Sequence, residues 1–246
     1  MYQNFIFDLY GTLLDIHTDE TGIRVWYVMQ KRFRDAGVFS RPSELRRQYV
    51  RYCREEMGRM DVPYPEIDIC NVFQRLAEGK ADRAWAEETA VQFRNAARLY
   101  CHPYRKTKKV LQELKRQGKK TWLLSNAQRV FTIPEMEAFG LPEYFDDIFI
   151  SSDYGIRKPD PAFLMLLLEK HDLQKEDTVM IGNEFASDIR TADACGIDSV
   201  FINTGGYSRR KIAEMMKETD PAAKVRIIYS RNLEEILKEE DECLNG

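Results

Sequence analysis

The sequence predicts an α/β fold in which a doubly wound parallel sheet carries an all-helical unit inserted after its first strand. Three observations predict this fold class. Short, nearly continuous apolar runs recur along the chain, and such runs are typical of strands buried on both faces of a parallel sheet. Segments with apolar residues at helical spacing separate these runs. Residues 16–101, by contrast, contain almost no strand-like run and are rich in Arg, Glu, Tyr and Met.

Six short apolar runs are the predicted strands. They are QNFIFD at 3–8, KTWLLS at 120–125, DDIFIS at 146–151, DTVMIG at 177–182, DSVFIN at 198–203 and VRIIYS at 225–230. The predicted helices among them are KTKKVLQELKRQ at 106–117, IPEMEAFG at 133–140, PAFLMLLLEKHD at 161–172, ASDIRTADACG at 186–196 and NLEEILKEEDE at 232–242. Because strand–helix–strand units make right-handed crossovers, we expect one parallel sheet with helices on both faces.

The region 16–101 is predicted to form a separate helical domain. Its helices are expected at about 19–36, 43–59, 66–79 and 83–100, and the breaks between them fall at Gly37, Pro42, the Pro63/Pro65 pair and Gly79. Glycine and proline commonly end helices, which supports these boundaries. The predicted domains are therefore an α/β core of residues 1–15 and 102–246 and a helical domain of residues 16–101.

The composition argues against several classes of function. The formal net charge is -3 and the pI is about 5.8, so there is no electrostatic reason to expect nucleic acid or an anionic membrane as partner. No apolar run approaches the roughly 20 residues that span a bilayer, and no secretory leader pattern begins the sequence, so we expect a cytoplasmic protein. The cysteines and histidines are scattered, without a CxxC pair, which argues against disulfides, a zinc site and a Ser-His-Asp triad. Nothing in the sequence indicates the oligomeric state.

Polar residues follow four of the apolar runs. They are Asp8, then Ser125 and Asn126, then Lys158, and finally Asn183, Glu184 and Asp188. Taken singly, each has an ordinary explanation as a turn, cap or surface residue. In open parallel sheets, however, ligands bind beyond the carboxyl ends of the strands. Because all four groups follow predicted strands in order, we expect them to converge on one small anion. Gly11 would allow a close backbone approach there, and Thr12 fits a turn or cap hydroxyl.

The segments that carry these residues resemble the four ordered motifs of the haloacid dehalogenase-like (HAD) hydrolase superfamily. The matching segments are FDLYGTLLD, LLSNAQ, GIRKPDP and IGNEFASDIRTADACGI, and the resemblance covers about residues 3–15 and 102–205. It implies a Rossmann-like core. It also implies that the helical insertion is the cap of the subgroup that acts on small soluble substrates, which includes phosphoglycolate phosphatase-like enzymes and 2-haloacid dehalogenases.

The resemblance also implies a role for each residue. Asp8 is expected to be the covalent nucleophile, and Lys158 to hold both Asp8 and the phosphoryl oxygens. Further phosphate contacts are expected from Gly11, Thr12, Ser125 and Asn126. The expected cofactor is Mg²⁺, and its oxygen ligands would come from Asp8, the backbone carbonyl of Tyr10, Asn183, Glu184 and Asp188. The implied partner is a small phosphorylated substrate.

Two positions depart from the usual phosphatase pattern. Phosphatases that resemble this chain carry a second Asp two residues after the nucleophile, as general acid and base, and Tyr10 stands there. A phenol is a poor base at neutral pH. Asn183 stands where an acid usually binds the metal, which removes one negative charge and should weaken metal affinity. The spacing from Asn183 to Asp188 nevertheless matches the phosphatase form rather than the dehalogenase form.

Three functions remain open from the sequence. The first is a Mg²⁺-dependent phosphatase of a small metabolite, which Lys158 and the Asn183–Asp188 spacing favour. The second is a metal-independent 2-haloacid dehalogenase, which Tyr10 favours because a departing halide needs no proton. In that case Arg46 and Arg47 on a predicted helix would supply the cation that binds the substrate, although ELRRQYVRY at 44–52 also fits an ordinary solvated helix face. The third is a binding or regulatory protein that kept the fold and lost efficient turnover.

Overall fold

A six-stranded sheet of parallel strands forms the centre of the protein. The structure is a computed structural model that describes residues 2–219 and 222–238. Its strands are β1 (Asn4–Phe7), β2 (Leu14–Thr18), β3 (Arg98–Pro103), β4 (Lys120–Ser125), β5 (Asp147–Ile150), β6 (Thr178–Gly182), β7 (Asp198–Ile202) and β8 (Val225–Ile228). The sheet has the order β5-β4-β1-β6-β7-β8, while β2 and β3 form a separate two-stranded ribbon. The predicted α/β fold with a doubly wound parallel sheet is confirmed.

Strand β1 shows why the sequence forms this sheet. It pairs in parallel with β4 on one side and with β6 on the other, and all four of its residues are buried. Successive side chains of a strand point to opposite faces. Phe5 and Phe7 therefore lie in the apolar cluster on one face, and Ile6 lies in the cluster on the other. A strand covered on both faces leaves little room for polar residues, which accounts for the apolar run Phe5–Phe7.

The helices follow the predicted pattern with a few shifts. They are α1 (Ile23–Asp35), α2 (Pro42–Gly58), α3 (Ile69–Leu76), α4 (Arg83–Ala97), α5 (Thr107–Arg116), α6 (Arg129–Ala138), α7 (Pro161–Lys170), α8 (Arg190–Cys195) and α9 (Arg209–Thr219). A π-helical turn, Phe185–Ile189, precedes α8. Within residues 2–219 and 222–238, no helix combines the length and the apolar character needed to cross a membrane.

Two predicted helices differ in the structure. The predicted helix at 133–140 begins four residues earlier, at Arg129, and contains Pro134 in its interior. The predicted final helix at 232–242 is a short 3₁₀ segment, Leu233–Leu237, and residues 239–242 lie outside the described part. Asn232 caps that segment by accepting a hydrogen bond from the amide of Glu234.

Helices α1–α4 pack around an aromatic core of their own. The ring of Phe93 on α4 lies 5.6 Å from the ring of Trp26 and 5.5 Å from that of Phe73, measured between centroids. The ring of Tyr49 on α2 is 5.2 Å from that of Phe93. Phe131 of α6 joins this cluster, so the helices of residues 16–101 rest on α6. Aromatic pairs at such distances add to the hydrophobic stabilisation of the cluster.

The ribbon of β2 and β3 was not predicted. The predicted helix at 83–100 ends at Ala97, and Arg98–Pro103 instead pairs antiparallel with Leu14–Thr18. The boundaries predicted at 15/16 and 101/102 fall at neighbouring pairs of this ribbon, Asp15 with His102 and Ile16 with Cys101. Strand β3 is largely exposed, so it lacks the apolar pattern that marks a buried strand. Its partner is also distant in sequence, and local periodicity does not reveal such a pairing.

The aromatic core of α1–α4 yields a stability prediction. Replacing Phe93, whose side chain is fully buried, with Ala should cost about 3–5 kcal/mol of unfolding free energy, because the lost ring leaves a cavity. The matched control is Phe39→Ala, at a side chain that is 81 % exposed, which should change stability by less than about 0.5 kcal/mol. Urea unfolding of both variants measures this difference. Equal effects would show that these rings do not form the core of the helical insertion.

Candidate active site

A buried ammonium group, that of Lys158, joins its own motif to the other three predicted motifs. Lys158 lies in the loop between β5 and α7 and is 2 % exposed. Its Nζ donates to Asp8 Oδ1 at 2.9 Å, to Asp188 Oδ1 at 2.7 Å and to the backbone carbonyl of Leu124 at 2.7 Å. Burial alone would lower the pKa of Lys158, but the charges of Asp188 and Asp8 outweigh burial and raise it. The ammonium therefore stays charged.

Asp8 stands at the carboxyl end of the central strand. Its backbone amide bonds to the carbonyl of Ile181 in β6 at 2.9 Å, which fixes it against the neighbouring strand. Oδ1 accepts from Lys158, and Oδ2 accepts from the hydroxyl of Thr12 at 3.0 Å. Burial, together with the charge of Asp188, raises the pKa of Asp8 to about 6, although Lys158 and Thr12 oppose the shift. Burial thus disfavours the ionised form of Asp8 more strongly than Lys158 and Thr12 favour it.

The motif after β4 supplies an unpaired hydroxyl and a positioning amide. Within the described residues, Ser125 Oγ is buried and has no hydrogen-bond partner. An unpaired buried hydroxyl costs free energy, so a ligand that accepts from it is favoured. The side chain of Asn126 instead spans the backbone of Lys158, with Oδ1 accepting from its N–H at 2.8 Å and Nδ2 donating to its carbonyl at 2.9 Å. Asn126 therefore holds the lysine loop in place.

Asp188 organises the loop after β6. Its Oδ2 accepts from the backbone amides of Asn183 at 3.0 Å and Glu184 at 3.1 Å, while Oδ1 binds Lys158. The chain must pass very close to this carboxylate, since a Cβ on Gly182 would lie 2.2 Å from Asp188 Oδ2. The side chain of Glu184 is exposed and accepts a hydrogen bond from Ser187 Oγ at 2.8 Å.

Gly11 and Thr12 bring the first motif against Asn183. Gly11 has a φ of +85°, a conformation that favours glycine, and a Cβ there would lie 2.5 Å from Asn183 Nδ2. Thr12 Oγ1 lies 3.0 Å from Asp8 Oδ2 and 3.1 Å from Asn183 Oδ1. A hydroxyl has one proton, so it satisfies only one of these two oxygens at a time. The other oxygen retains an unused lone pair.

These oxygens fit a hard divalent cation. Asp8, Asp188 and Lys158 together carry a formal charge of one negative unit, and Asp8 and Asn183 present oxygens that share a single donor proton. Magnesium prefers such oxygen ligands and few protein groups. Three or more His, Cys, Asp or Glu side chains arranged to hold a metal do not occur in residues 2–219 and 222–238. The geometry therefore makes Asp8 and Asn183 candidate direct ligands, because their oxygens share one donor proton. Asp188 already accepts hydrogen bonds on both of its oxygens.

The phenol of Tyr10 does not face Asp8. Its hydroxyl donates to Glu135 Oε2 and lies 3.3 Å from Thr132 Oγ1, both on α6. Glu135 in turn binds Arg94 of α4 through two hydrogen bonds, of 2.8 and 3.1 Å, and Arg98 at 3.0 Å. Burial and the charge of Glu135 raise the pKa of Tyr10 far above its ordinary value. The phenol is therefore neutral, and its proton is held by Glu135.

A cleft of about 690 Å³ opens beside this cluster. Residues of the helical insertion line one wall, and loops after the strands line the other. Its charged and polar lining includes Tyr10, Glu20, Arg54, Glu66, Arg94, Asn126, Gln128 and Arg157. Arg46 is not part of this lining. It lies exposed on α2, where its charge is a minor contribution, after hydrogen bonds from Thr21 and Gly22, to the lowered pKa of Asp19.

Several residues of the site could not be found from the sequence. Arg94 and Glu135 lie within helices of ordinary amphipathic composition, and nothing in their spacing marks them. Arg54 and Arg157 line the cleft from separate segments that meet only in the folded chain. Arg157 directly precedes Lys158 in the motif GIRKPDP. Its position there is a sequence signal that Arg54, Arg94 and Glu135 lack.

Comparison with known proteins places the chain in a family. Residues 2–196 match the family model described as haloacid dehalogenase-like hydrolase. Since this match covers most of the chain, the protein belongs to the haloacid dehalogenase-like hydrolase family. The resemblance in the four motifs is confirmed.

Similar proteins include both phosphatases and dehalogenases. Glyceraldehyde 3-phosphate phosphatase of Methanocaldococcus jannaschii is 29% identical over 129 residues, which cover 52% of this chain and 57% of that protein. A HAD phosphatase from Thermococcus onnurineus has a TM-score of 0.61 at 23% identity, covering 100% of this chain and 99% of that one. A 2-haloacid dehalogenase from Pseudomonas syringae pv. Tomato DC3000 has a TM-score of 0.62 at 19% identity, covering 96% and 98%. The two structural similarities show the fold alone, and the sequence match spans little more than half of the relative.

The buried pair of Arg94 and Glu135 yields a pH-dependent prediction. Burial alone would raise the pKa of Glu135, but Arg94, Tyr10 and Arg98 outweigh it and lower the pKa. Glu135→Gln should therefore cost about 3–5 kcal/mol at pH 7, because it leaves the buried Arg94 charge uncompensated. A carboxyl with a lowered pKa stabilises the fold above its unfolded pKa of about 4.3 and loses this contribution as pH falls. The deficit of the variant should thus shrink below that pH.

Chemical denaturation from pH 7 down to pH 3.5 measures this effect. The matched control is Glu137→Gln on the same helix, where the side chain is exposed. It should change stability by less than about 0.5 kcal/mol at each pH. A deficit for Glu135→Gln that stays constant with pH would contradict an ionised glutamate paired with Arg94.

Proposed function

We propose that this protein is a Mg²⁺-dependent phosphatase of a small phosphorylated metabolite, with Asp8 as covalent nucleophile. The observation that carries the proposal is the buried triplet of Lys158, Asp8 and Asp188 beside the unpaired hydroxyl of Ser125. The proposal takes residues 1–15 and 102–246 as the catalytic core and residues 16–101 as a cap over the cleft. A relative whose name states a phosphatase activity on glyceraldehyde 3-phosphate supports the reaction class.

Each residue of the triplet has a distinct task. In the proposed reaction, a lone pair of the Asp8 carboxylate attacks phosphorus while the bond from phosphorus to the leaving oxygen breaks, which gives an aspartyl phosphate. Water then attacks phosphorus and the bond to Asp8 breaks, which releases phosphate. Lys158 offsets the repulsion between this carboxylate and the phosphoryl oxygens, and it keeps Asp8 in one rotamer. Asp188 holds Lys158 and the loop of Asn183 in place, so it acts as a positioning residue. Ser125 Oγ donates to a phosphoryl oxygen and thereby gains the partner it lacks.

The proposed metal ion belongs between the first and last motifs. Asp8, the backbone carbonyl of Tyr10 and Asn183 would hold it, and the remaining positions would be filled by water and substrate. When bound, Mg²⁺ supplies positive charge that offsets the charge of the nucleophile and the phosphoryl group. Because Asn183 stands where a second acid would be, the site has one carboxylate fewer. We therefore expect its affinity for Mg²⁺ to be low.

The proposal predicts phosphate release that requires both Asp8 and the metal. Asp8→Asn removes the nucleophile and should abolish the release of phosphate from a panel of phosphate monoesters and acyl phosphates. The control Asp35→Asn, at an exposed residue of α1, should retain wild-type rates. A chelator should abolish the wild-type rate, and added Mg²⁺ should restore it. An Asp8→Asn variant as active as the wild type would contradict the assigned nucleophile.

Ser125 yields a second prediction, on transition-state stabilisation. Ser125→Ala should lower kcat about 10²- to 10³-fold while KM changes little, the magnitude found when one donor to a developing charge is lost. Stability should not fall, since the hydroxyl has no partner in the free protein and its removal relieves an unpaired buried group. Steady-state kinetics and a thermal melt measure the two effects. A stability loss together with an unchanged kcat would show that this hydroxyl serves the fold.

Tyr10 favours one alternative, a 2-haloacid dehalogenase. The phenol stands where a phosphatase has its general acid, and halide leaves without a proton. The cation first expected to bind such a substrate, Arg46, lies outside the cleft, whereas Arg54, Arg94 and Arg157 line it. Halide release from short 2-haloacids in the presence of a chelator would support it. If neither phosphate nor halide is released, the alternative of a binding or regulatory protein is the one that survives.

A further inference from the structure

The position two residues after the nucleophile bears on which substrates the site accepts. This inference rests on the proposed phosphatase function. An alkyl phosphate leaves as an alkoxide, which is so basic that a positioned acid normally protonates it during bond breaking. A leaving group that is already a weak base needs no such proton. The availability of an acid near Asp8 therefore decides between two classes of phosphate compound.

The hydroxyl proton of Tyr10 lies in a hydrogen bond to the buried carboxylate of Glu135. Its hydroxyl donates to Glu135, and Glu135 is 4 % exposed. Arg94 of α4, which is 8 % exposed, donates hydrogen bonds to both carboxylate oxygens of Glu135. Its guanidinium carbon also lies 5.1 Å from the centre of the Tyr10 ring. These contacts with Glu135 and Arg94 hold the phenol in this orientation.

Proton donation by Tyr10 to a substrate would be costly in this arrangement. The hydroxyl would first have to leave Glu135 and remove a hydrogen bond from an ionised, buried carboxylate. The phenolate formed would then lie beside that carboxylate, and two like charges in a buried site repel strongly. Tyr10 therefore does not act as a general acid.

Two other carboxyl groups line the cleft, Glu20 and Glu66. Glu66 accepts hydrogen bonds from Ser151 Oγ at 2.9 Å, from Gln128 Nε2 at 3.0 Å and from the amide of Ile67 at 3.1 Å. Burial raises the pKa of Glu66, although these hydrogen bonds oppose the shift. Because both of its oxygens accept from protein groups, Glu66 is held in place as a structural group. Glu20 interacts with the hydroxyl of Tyr49 on the wall formed by the helical insertion. The variant Glu20→Gln tests whether Glu20 donates a proton to the leaving group.

We propose that the substrates of this site are phosphoryl compounds whose leaving group departs as a stable anion, namely acyl phosphates and phosphoanhydrides, rather than alkyl phosphate esters. Asp8 forms a bond to phosphorus while the bond from phosphorus to the leaving oxygen breaks, and that oxygen departs with the electron pair as a carboxylate or phosphate anion. Water then attacks phosphorus, the bond to Asp8 breaks, and both protons of the water remain on the released phosphate. Neither step requires the protein to supply a proton.

A series of substrates that differ only in their leaving group tests the proposal. The wild-type protein with Mg²⁺ is assayed for phosphate release from acetyl phosphate, p-nitrophenyl phosphate, phenyl phosphate and glycerol 3-phosphate. The expected kcat/KM falls steadily along this series as the leaving group becomes more basic. The last member should be slower than the first by at least about 10²–10⁴, the usual contribution of a general acid. Comparable values for acetyl phosphate and glycerol 3-phosphate would overturn the proposal.

Two variants test whether Tyr10 or Glu20 acts as a general acid. Tyr10→Phe keeps the ring and removes the hydroxyl, so it should leave the ratio between acetyl phosphate and glycerol 3-phosphate unchanged within about twofold, even if it lowers stability. Glu20→Gln should leave the same ratio unchanged. A selective loss on glycerol 3-phosphate in either variant would identify that residue as a general acid and would overturn the proposal. Because each variant is compared with itself on two substrates, partial unfolding cancels from the ratio.

The outcomes also distinguish this inference from the proposed function. Phosphate release from acetyl phosphate that Asp8→Asn abolishes, with little release from glycerol 3-phosphate, supports both. Release from all four substrates at similar rates, again abolished by Asp8→Asn, sustains the phosphatase and overturns the leaving-group preference. Release from none of them overturns the proposed function, and this inference with it.

Discussion

The structure of the site depends on one buried cation, the ammonium of Lys158. Removing an ammonium from water costs several kcal/mol, so it is stable only where oxygens replace its hydration. Asp8, Asp188 and the carbonyl of Leu124 do so at 2.7–2.9 Å. These three groups come from the ends of three strands or the loops that follow them, so the requirement to satisfy one lysine draws distant segments together. The two carboxylates exceed the single ammonium charge by one, and a further cation is the natural counterpart of this excess.

The sheet supplies the frame within which this cation acts. Strands β1, β4 and β6 lie side by side and parallel, so the residues that follow them emerge at the same edge. Close approach at that edge requires glycine at two positions, Gly11 beside Asn183 and Gly182 beside Asp188. Asp188 then bonds to two backbone amides as well as to Lys158, which fixes the loop and the lysine with one side chain. The geometry of Asp8 is thus set by backbone and charge together, before any ligand binds.

The parts of the fold that local sequence determines were predictable, and the parts that depend on distant pairing were not. NFIF in β1 is buried on both faces, so its composition alone indicates a strand, and Asp8 follows it directly. The ribbon joins residues near 16 to residues near 100, its second strand is largely exposed, and no apolar pattern marks it. The destination of the Tyr10 hydroxyl was equally hidden, because Glu135 lies 125 residues away in an ordinary helix. The departure from the phosphatase pattern at Tyr10 was visible in the sequence, but its consequence depends on Arg94 and Glu135, which only the folded chain brings together.

The central claim is that Lys158 holds Asp8 as a nucleophile toward phosphorus. Its most direct test is to identify the residue that becomes phosphorylated. The protein is incubated with radiolabelled acetyl phosphate and Mg²⁺, quenched in acid, and mapped by peptide mass spectrometry. The account predicts a single acyl phosphate on Asp8, absent when Lys158 is replaced by Met in a variant that remains folded. A phosphate group on any other residue, or phosphate release without an aspartyl phosphate in the rapidly quenched wild type, would contradict it.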